Sequence, residues 1–398
     1  MSQASNRGGG RVPGALPAPR RLPPLSTIRA ANNGHAHIDD VIRLGLGEPT
    51  WFAEPRGLPA PARRALASVR SAPYGNHAGD LATRQAIARY ERVDPDEILV
   101  TSGAQGGLFA LTFAYLQPGD RAAVPDPGFP AYRALVEMAG AEARSYPLDA
   151  RHRLDPAAIE ALLDRDPAIR ILFLNHPSNP TGGGATAEAL ARVAAACERH
   201  GVLLVSDEVY RELYLEQPLP SLRQVTHQGV VVGSLSKAWG APGLRVGWLI
   251  GDPAILAPCR RWHAWAVTSA AGPSQAAACA LLDASPQILP ESRQALRRRW
   301  QALSETWQAL LGDEPSAPDG GFYYWFRLPS ALCHHPTDGF RQLAETARVT
   351  LVPGGAFGAS GHGWARLSFG VGCSTLRRGV ERLARCLAGY GPSPRPAP

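Results

Sequence analysis

The chain has 398 residues, of which 45% are hydrophobic and 19% charged, so it can bury more than one core and is too apolar to be disordered throughout. Its formal charge is +7, and five arginines precede the first acidic residue, Asp39; subtracting these five leaves +2 on the rest. Because no basic stripe interleaved with aromatic residues occurs, we exclude a nucleic-acid partner.

The cysteines and the apolar runs indicate the cellular compartment. The six cysteines form no CxxC pair and have no histidine at metal-ligand spacing, which predicts reduced thiols and no metal site. No apolar run approaches the roughly 20 residues of a membrane-spanning helix, and residues 1–24 contain no apolar signal core. We therefore predict a cytoplasmic protein without a membrane segment.

The two ends differ in composition from the rest of the chain. Residues 1–25 are rich in Gly, Pro and Arg, which predicts a flexible basic extension, and residues 391–398 are predicted to form a flexible tail.

Between the ends, short β-branched runs alternate with helical patterns. In chain order these are EILVTSG and AQGGLFALTFAYL, RAAVPDP and AYRALVEMAGA, IRILFLNHP and TAEALARVAAACERHG, and then the strand-like VLLVSDEVY and VVVGSLS. The strand candidates are continuously apolar, as in parallel strands covered by helices on both faces. This alternation predicts an α/β fold. From about residue 290, GGFYYWFRL, ARLSFG and the amphipathic GVGCSTLRRGVERLARCLAGYG predict a smaller α+β unit.

Polar side chains follow four of the predicted strands. These clusters are Ser102–Gln105, Asn175–Gly182, Asp207–Tyr210 and Ser234–Lys237. Because ligands of open α/β sheets bind at the carboxyl ends of the strands, we expect all four clusters to line one crevice. The small residues from Ser102 to Gly106 open a predicted helix, which suits a phosphate group, although an ordinary turn and helix cap would read the same way.

Lys237 is the only lysine among 41 basic side chains. A lysine amine can lose its proton and attack a carbonyl, whereas a guanidinium cannot. Ser234, Ser236 and Arg245 supply hydroxyls and one guanidinium, a set that suits a phosphate dianion. The alternative is an ordinary surface loop, but a lone lysine favours imine chemistry at this position.

Asp207 ends an apolar strand, where a carboxylate requires a cationic partner. A protonated pyridine nitrogen would serve, and Tyr210 and Asn179 could donate to a phenolate oxygen. The alternatives are an Asp that caps a helix and a Tyr that only packs.

Five motifs in register resemble the class I/II pyridoxal-phosphate aminotransferases of fold type I, which are related to aspartate aminotransferase. The motifs are LGLGEP, TSGAQ, NHPSNPTGG, SDEVY and SLSKAWGAPGLRVGW, and the likeness runs from about residue 40 to residue 385. It implies a mostly parallel seven-stranded sheet flanked by helices in a large domain, residues 51–288. A smaller α+β domain would combine residues 26–50 with residues 289–390.

The resemblance also implies roles for individual residues. Lys237 would form a Schiff base with pyridoxal 5'-phosphate, and Asp207 and Tyr210 would complete the catalytic set. The substrate would contact Arg366, which would grip the α-carboxylate, together with Asn179 and Gly47. The cofactor would contact Gly103, Ala104, Gln105, Phe129, Asn179, Asp207, Tyr210, Ser234, Ser236, Lys237 and Arg245, and also Tyr74 of a second subunit. A homodimer with active sites at its interface follows from the last contact.

The resemblance predicts transfer of an amino group from an amino acid to a 2-oxo acid. A lyase, cyclase or oxidase using the same cofactor remains an alternative, because these reactions share the same lysine, aspartate and arginine. A non-catalytic binding protein on the same fold is a remote alternative. The sequence weakly favours a neutral or aromatic amino acid over aspartate and does not identify the substrates.

Overall fold

The computed structural model describes residues 28, 39–52, 57–329, 332 and 336–390, with only the backbone considered at 336–338. The predicted extension 1–25 and tail 391–398 lie outside these residues. Within them, no helix has both the length and the apolar composition that crossing a bilayer would require.

A seven-stranded sheet forms the centre of the molecule, with strands in the order β2-β8-β7-β6-β5-β3-β4. The strands are β2 Ile98–Thr101, β3 Arg121–Asp126, β4 Glu142–Pro147, β5 Ile169–Asn175, β6 Leu203–Asp207, β7 Val230–Ser234 and β8 Gly247–Ile250. Only β8 runs antiparallel to its neighbours. The predicted α/β fold with a mostly parallel seven-stranded sheet is confirmed.

Both faces of this sheet are buried. Successive residues of β5 alternate between two hydrophobic cores: Ile171 and Phe173 belong to one core, and Leu172 and Leu174 belong to the other. Helices contribute further residues to these cores. The α-helices of the described residues are α1 Ala60–Ser68, α2 Leu81–Glu91, α3 Gly103–Tyr115, α4 Pro130–Met138, α5 Pro156–Arg165, α6 Ala187–His200, α7 Pro253–Val267, α8 Gly272–Asp283, α9 Ser285–Leu311, α10 Pro336–Thr346 and α11 Cys373–Ala388.

Two small sheets lie outside the central one. Strands β11 Val352–Pro353, β12 Trp364–Ser368 and β9 Tyr323–Arg327 form an antiparallel sheet in that order. Strand β1, Ile42–Arg43, pairs in parallel with β10, Val349–Thr350, and so joins the amino-terminal segment to the carboxyl-terminal part. The boundary expected at residue 289 falls inside the continuous helix α9, and the division into two domains stays a prediction.

The central sheet brings the carboxyl ends of four strands to one edge. Asn175, the last residue of β5, lies opposite Asp207, the last residue of β6, and Asp207 lies opposite Val232 of β7. Gly247, the first residue of β8, lies between Ser234 and Thr101, which end the strands on its two sides. The carboxyl ends of β5, β6, β7 and β2 therefore share one edge.

Candidate active site

Lys237 lies in the loop after β7, with its side chain half-buried. Its amine donates a hydrogen bond to the Gly47 carbonyl at 2.7 Å. Nζ also lies 5.5 Å from the ring centroid of Tyr210 and 5.9 Å from that of Phe322. The amine is thus held between a backbone carbonyl and two aromatic faces.

Asp207 is 3% exposed at the end of β6. Its carboxylate accepts hydrogen bonds from the Tyr132 hydroxyl at 2.8 Å and from the Val209 amide at 3.3 Å. Burial raises the pKa of Asp207 to about 6, although these two bonds and the charge of Lys237 lower it. Because both hydrogen-bond donors are neutral, the buried carboxylate is suited to a cationic partner.

Tyr210 is buried, and its hydroxyl lies 2.9 Å from that of Tyr323, on β9. Burial and the neighbouring Tyr323 raise the pKa of Tyr210 well above its usual value, so it stays protonated and able to donate. The Tyr323 hydroxyl would lie 2.5 Å from a Cβ at position 47, which leaves room only for glycine there.

Arg366 lies on β12 and is 1% exposed. It donates to the Asn179 side-chain oxygen and to the Gly45 carbonyl, both at 2.7 Å. Its guanidinium lies 4.2 Å from the ring centroid of Tyr323 and 4.9 Å from that of Phe357. Burial lowers the pKa of Arg366, and its Nε has no hydrogen-bond partner among the described atoms. A guanidinium held by neutral acceptors and rings is suited to bind a carboxylate.

Gly103 begins α3 with a φ of +77°, and a Cβ there would lie 2.2 Å from Nη2 of Arg245. Because position 103 has no side chain, the guanidinium of Arg245 can lie directly against the start of the helix. Ala104 and Gln105 follow in the first turn, whose backbone amides have no partners within the helix. The arginine and these amides together favour an anion.

Ser234 and Ser236 add two buried hydroxyls beside this helix start. The Ser234 hydroxyl donates to the Ser236 hydroxyl at 2.8 Å and accepts from the Ser236 amide at 3.1 Å. A Cβ at Gly247 would lie 2.4 Å from the Ala104 nitrogen, so glycine at the start of β8 allows α3 to approach the serines closely.

The last two predicted cofactor contacts differ in position. Phe129 precedes α4, and its ring meets that of Tyr132 edge-on at 5.6 Å, so it continues the cluster around Asp207. Tyr74 is 91% exposed. A single chain therefore does not bury Tyr74 in the site, and its predicted role across a subunit interface stays a prediction.

Two residues that the sequence does not single out complete the site, together with Asn175 from one of the predicted clusters. Tyr132 and Tyr323 contact Asp207 and Tyr210 as described, and Asn175 accepts from the Asn179 amide at 2.6 Å while donating to the Asp207 carbonyl at 3.1 Å. Tyr132 follows the predicted cofactor contact Phe129 by three residues at the start of a helix, a spacing that could have indicated Tyr132 from the sequence. Among the described residues, no group of His, Cys, Asp and Glu could hold a metal ion.

The single lysine, the buried carboxylate of Asp207 and the buried guanidinium of Arg366 are thus linked to one edge of an α/β sheet, an arrangement that suits an enzyme acting on amino acids. The family model for aminotransferase class I and II matches residues 39–383, and the chain therefore belongs to that family. The resemblance seen in the sequence motifs is confirmed.

Individual relatives agree with this assignment. The chain is 32% identical to a probable N-acetyl-LL-diaminopimelate aminotransferase of Bacillus subtilis, over 90% of this chain and 92% of the relative. It is 31% identical to an arginine–pyruvate transaminase of Pseudomonas aeruginosa, over 88% and 91%. The aspartate aminotransferase of Thermus thermophilus, solved with maleate, superimposes with a TM-score of 0.83 at 30% identity, over 92% and 97%. The protein is an aminotransferase, as predicted, and none of these relatives favours the lyase, cyclase or oxidase alternative.

Proposed function

We propose that this aminotransferase uses pyridoxal 5'-phosphate, held covalently by Lys237, to move an amino group from an amino acid to a 2-oxo acid. The observation that carries the proposal is the buried carboxylate of Asp207, whose neutral donors leave it suited to a cation. The protonated pyridine nitrogen of the cofactor would supply that cation. The residues present therefore fit the group.

The same residues would hold the other parts of the cofactor. The phosphate would bind at the start of α3, at Gly103, Ala104 and Gln105, with the hydroxyls of Ser234 and Ser236 and the guanidinium of Arg245. Phe129 would cover one face of the ring. Tyr210 and Asn179 would donate to its phenolic oxygen.

The chemistry then divides between the cofactor and the chain. When bound, the cofactor supplies an electron-withdrawing ring that stabilises negative charge at the substrate Cα. Arg366 binds the substrate carboxylate and orients the Cα–H bond toward the lysine, with Gly47 leaving space beside it. Once the amino group of the substrate has replaced it on the cofactor, the amine of Lys237 would be free to take the proton from Cα. Asp207 would keep the pyridine nitrogen protonated.

We further propose a cytoplasmic homodimer in which Tyr74 completes the site of the other subunit. Support for the dimer comes from exposed aromatic side chains on one surface, since Tyr74 and Trp265 are each 91% exposed. The segments that carry them are in contact, because His77 hydrogen-bonds to the Thr268 carbonyl at 2.9 Å. Cytoplasmic location is supported by the cysteines, since the five in the described residues are free thiols.

For the amino donor we propose a neutral or aromatic amino acid. The rings of Tyr323 and Phe357 lie 4.2 and 4.9 Å from the guanidinium of Arg366, so the described surroundings of the proposed carboxylate site include apolar surface. The relatives are named for diaminopimelate derivatives, aspartate and arginine, so their names do not select one substrate class.

Substitution of Lys237 by Arg tests the cofactor assignment. Arg keeps the positive charge but cannot form the covalent linkage. We therefore expect K237R to retain the fold but to form no covalent cofactor adduct at this position on reduction with borohydride. The measurement is the mass of the protein after incubation with pyridoxal phosphate, reduction and denaturation. A stable adduct on K237R equal to that on the wild-type protein would refute the role of Lys237.

A further inference from the structure

We propose that Trp51 is a positioning residue for Lys237, fixing the backbone of the lysine to the segment that also contacts Arg366. This inference rests on the proposed role of Lys237. It concerns a residue outside the predicted cofactor and substrate contacts.

The contact is made at the lysine itself. The indole nitrogen of Trp51 donates to the Lys237 carbonyl at 2.7 Å, and Trp51 is 8% exposed. The indole ring meets Phe322 edge-on at 5.6 Å, and a Cβ at Gly240 would lie 3.3 Å from its Cδ1. Trp51 is therefore packed on more than one side, and its N–H has a fixed direction.

Arg299 of α9 holds the indole in place. Its guanidinium lies 4.7 Å from the centroid of the Trp51 ring. The same guanidinium donates to the Gly370 carbonyl at 2.6 Å and to the Thr50 carbonyl at 2.5 Å. The Thr50 amide also donates to the Gly370 carbonyl at 2.9 Å. Trp51 is thus tied both to α9 and to the chain that follows β12, the strand that carries Arg366.

The segment 45–51 makes both functional contacts at once. The Gly45 carbonyl accepts from Arg366, and the Gly47 carbonyl accepts from the amine of Lys237. A few residues later, Trp51 bonds to the carbonyl of the same lysine. The tryptophan therefore sets the distance between the amine that takes the proton and the arginine that holds the carboxylate.

The other anchors of the lysine loop differ from Trp51. Ser292 of α9 donates to the Ala238 carbonyl at 2.6 Å. Trp239 donates at 3.0 Å to Ser285, the first residue of α9. Both hydrogen bonds therefore connect the loop to α9. Trp51 alone among these three belongs to the segment that also contacts Arg366. Small displacements of a reacting group lower rates strongly, so loss of this bond should affect steps that need the lysine amine.

The test substitutes Trp51 by Phe, which keeps a ring for Phe322 and Arg299 but removes the N–H. We expect covalent capture of pyridoxal phosphate by the apoprotein to slow about fivefold, the size of one typical hydrogen bond. Affinity for pyridoxamine 5'-phosphate, which cannot bond to Lys237, should stay within about twofold of the wild-type value. Rate is measured by stopped-flow absorbance and affinity by equilibrium titration.

Trp307→Phe is the matched control. Trp307 is 6% exposed and packs against Tyr324 and Phe326 in the carboxyl-terminal part. W307F therefore replaces a tryptophan of similar burial by the same residue as W51F, but away from Lys237. We expect W307F to leave both measurements unchanged. If W51F does not fold, Arg299→Gln weakens the support of the indole and should give a smaller loss of the same kind.

Two results would overturn the proposal. Capture at the wild-type rate in the folded variants would show that the bond does not position the lysine. An equal loss in capture and in pyridoxamine phosphate affinity would show a general structural effect. If the wild-type protein itself forms no covalent linkage, the proposed function fails first, and the two failures are thereby distinguished.

Discussion

At the scale of single residues, a phenol controls the charge of Asp207. The hydrogen bond from Tyr132 favours the carboxylate form, whereas burial raises the pKa of Asp207 to about 6. Because Tyr132 is itself buried, the pKa of its hydroxyl is raised and it remains a donor. The tyrosine therefore helps to keep Asp207 charged near neutrality, which a cationic ligand requires.

Removal of this hydroxyl should weaken cofactor binding. In Tyr132→Phe the pKa of Asp207 rises, and we expect affinity for pyridoxamine 5'-phosphate to fall about tenfold, since a hydrogen bond to a charged group contributes about 1.5–3 kcal/mol. The loss should grow as the pH falls toward the pKa of Asp207, because protonated Asp207 cannot pair with a cation. Titrations of the apoprotein at several pH values measure this.

Tyr146→Phe serves as the control for this prediction. Tyr146 is 1% exposed and donates to the Phe173 carbonyl at 2.7 Å rather than to Asp207. Equal affinities for Y132F and Y146F across the pH range would contradict the role given to Tyr132.

At the scale of elements, the sequence predicts strands that have a continuous apolar run. It does not predict short or exposed strands, or contacts between residues far apart in the chain. The apolar runs of β5, β6 and β7 predict their own strands and the polar residues at their ends. Strand β4, EARSYP, lies at an edge of the sheet and has several exposed residues, and β8, GWLI, directly follows the turn-rich stretch GAPGLRV, so neither carries a clear pattern. Likewise the contact of Tyr323 with Tyr210 joins residues 113 positions apart and has no local signal.

The start of α3 gives a prediction about phosphate binding. In Gly103→Ala the new Cβ meets Arg245 and the backbone is strained at positive φ. We expect affinity for pyridoxal phosphate to fall at least about tenfold, while affinity for pyridoxal, which has no phosphate, changes little. Equilibrium titration with both compounds measures the difference.

Gly312→Ala separates this effect from backbone strain. Gly312 has a φ of +75°, close to that of Gly103, but a Cβ there would have no neighbour within 4 Å. G312A should lose stability without losing affinity. If G103A and G312A bind pyridoxal phosphate equally, the start of α3 is not the phosphate site.

At the scale of the whole molecule, the exposed aromatic surface indicates how two chains would meet. Trp262 of α7 packs against Phe113 of α3 at 5.4 Å and is still 43% exposed, and Trp265 lies one helical turn further along. His263, which follows Trp262 in α7, accepts a hydrogen bond at 3.1 Å from the amide of Ser102, which precedes α3, so α7 connects this surface to the proposed phosphate site.

Substitution of Trp265 by Asp tests the homodimer. A charge at an interface centre should raise the dimer dissociation constant at least about 30-fold, since central tryptophans contribute about 2 kcal/mol or more. Sedimentation velocity over a range of concentrations measures this. Leu310→Asp, at a residue 47% exposed near the end of α9, should leave association unchanged. A wild-type monomer, or a W265D dimer of undiminished affinity, would contradict the proposal.

The single lysine has a practical consequence for measuring this protein. Its amine is the only side-chain amine in the sequence and is half-buried against the Gly47 carbonyl. Side-chain labelling by an amine-directed reagent therefore counts one position, and the fraction of molecules protected from it reports occupancy of the site directly. Peptide mapping separates the label on this amine from the label on the α-amino group. The same lysine that is proposed to carry the chemistry then serves as the probe for every variant described above except K237R.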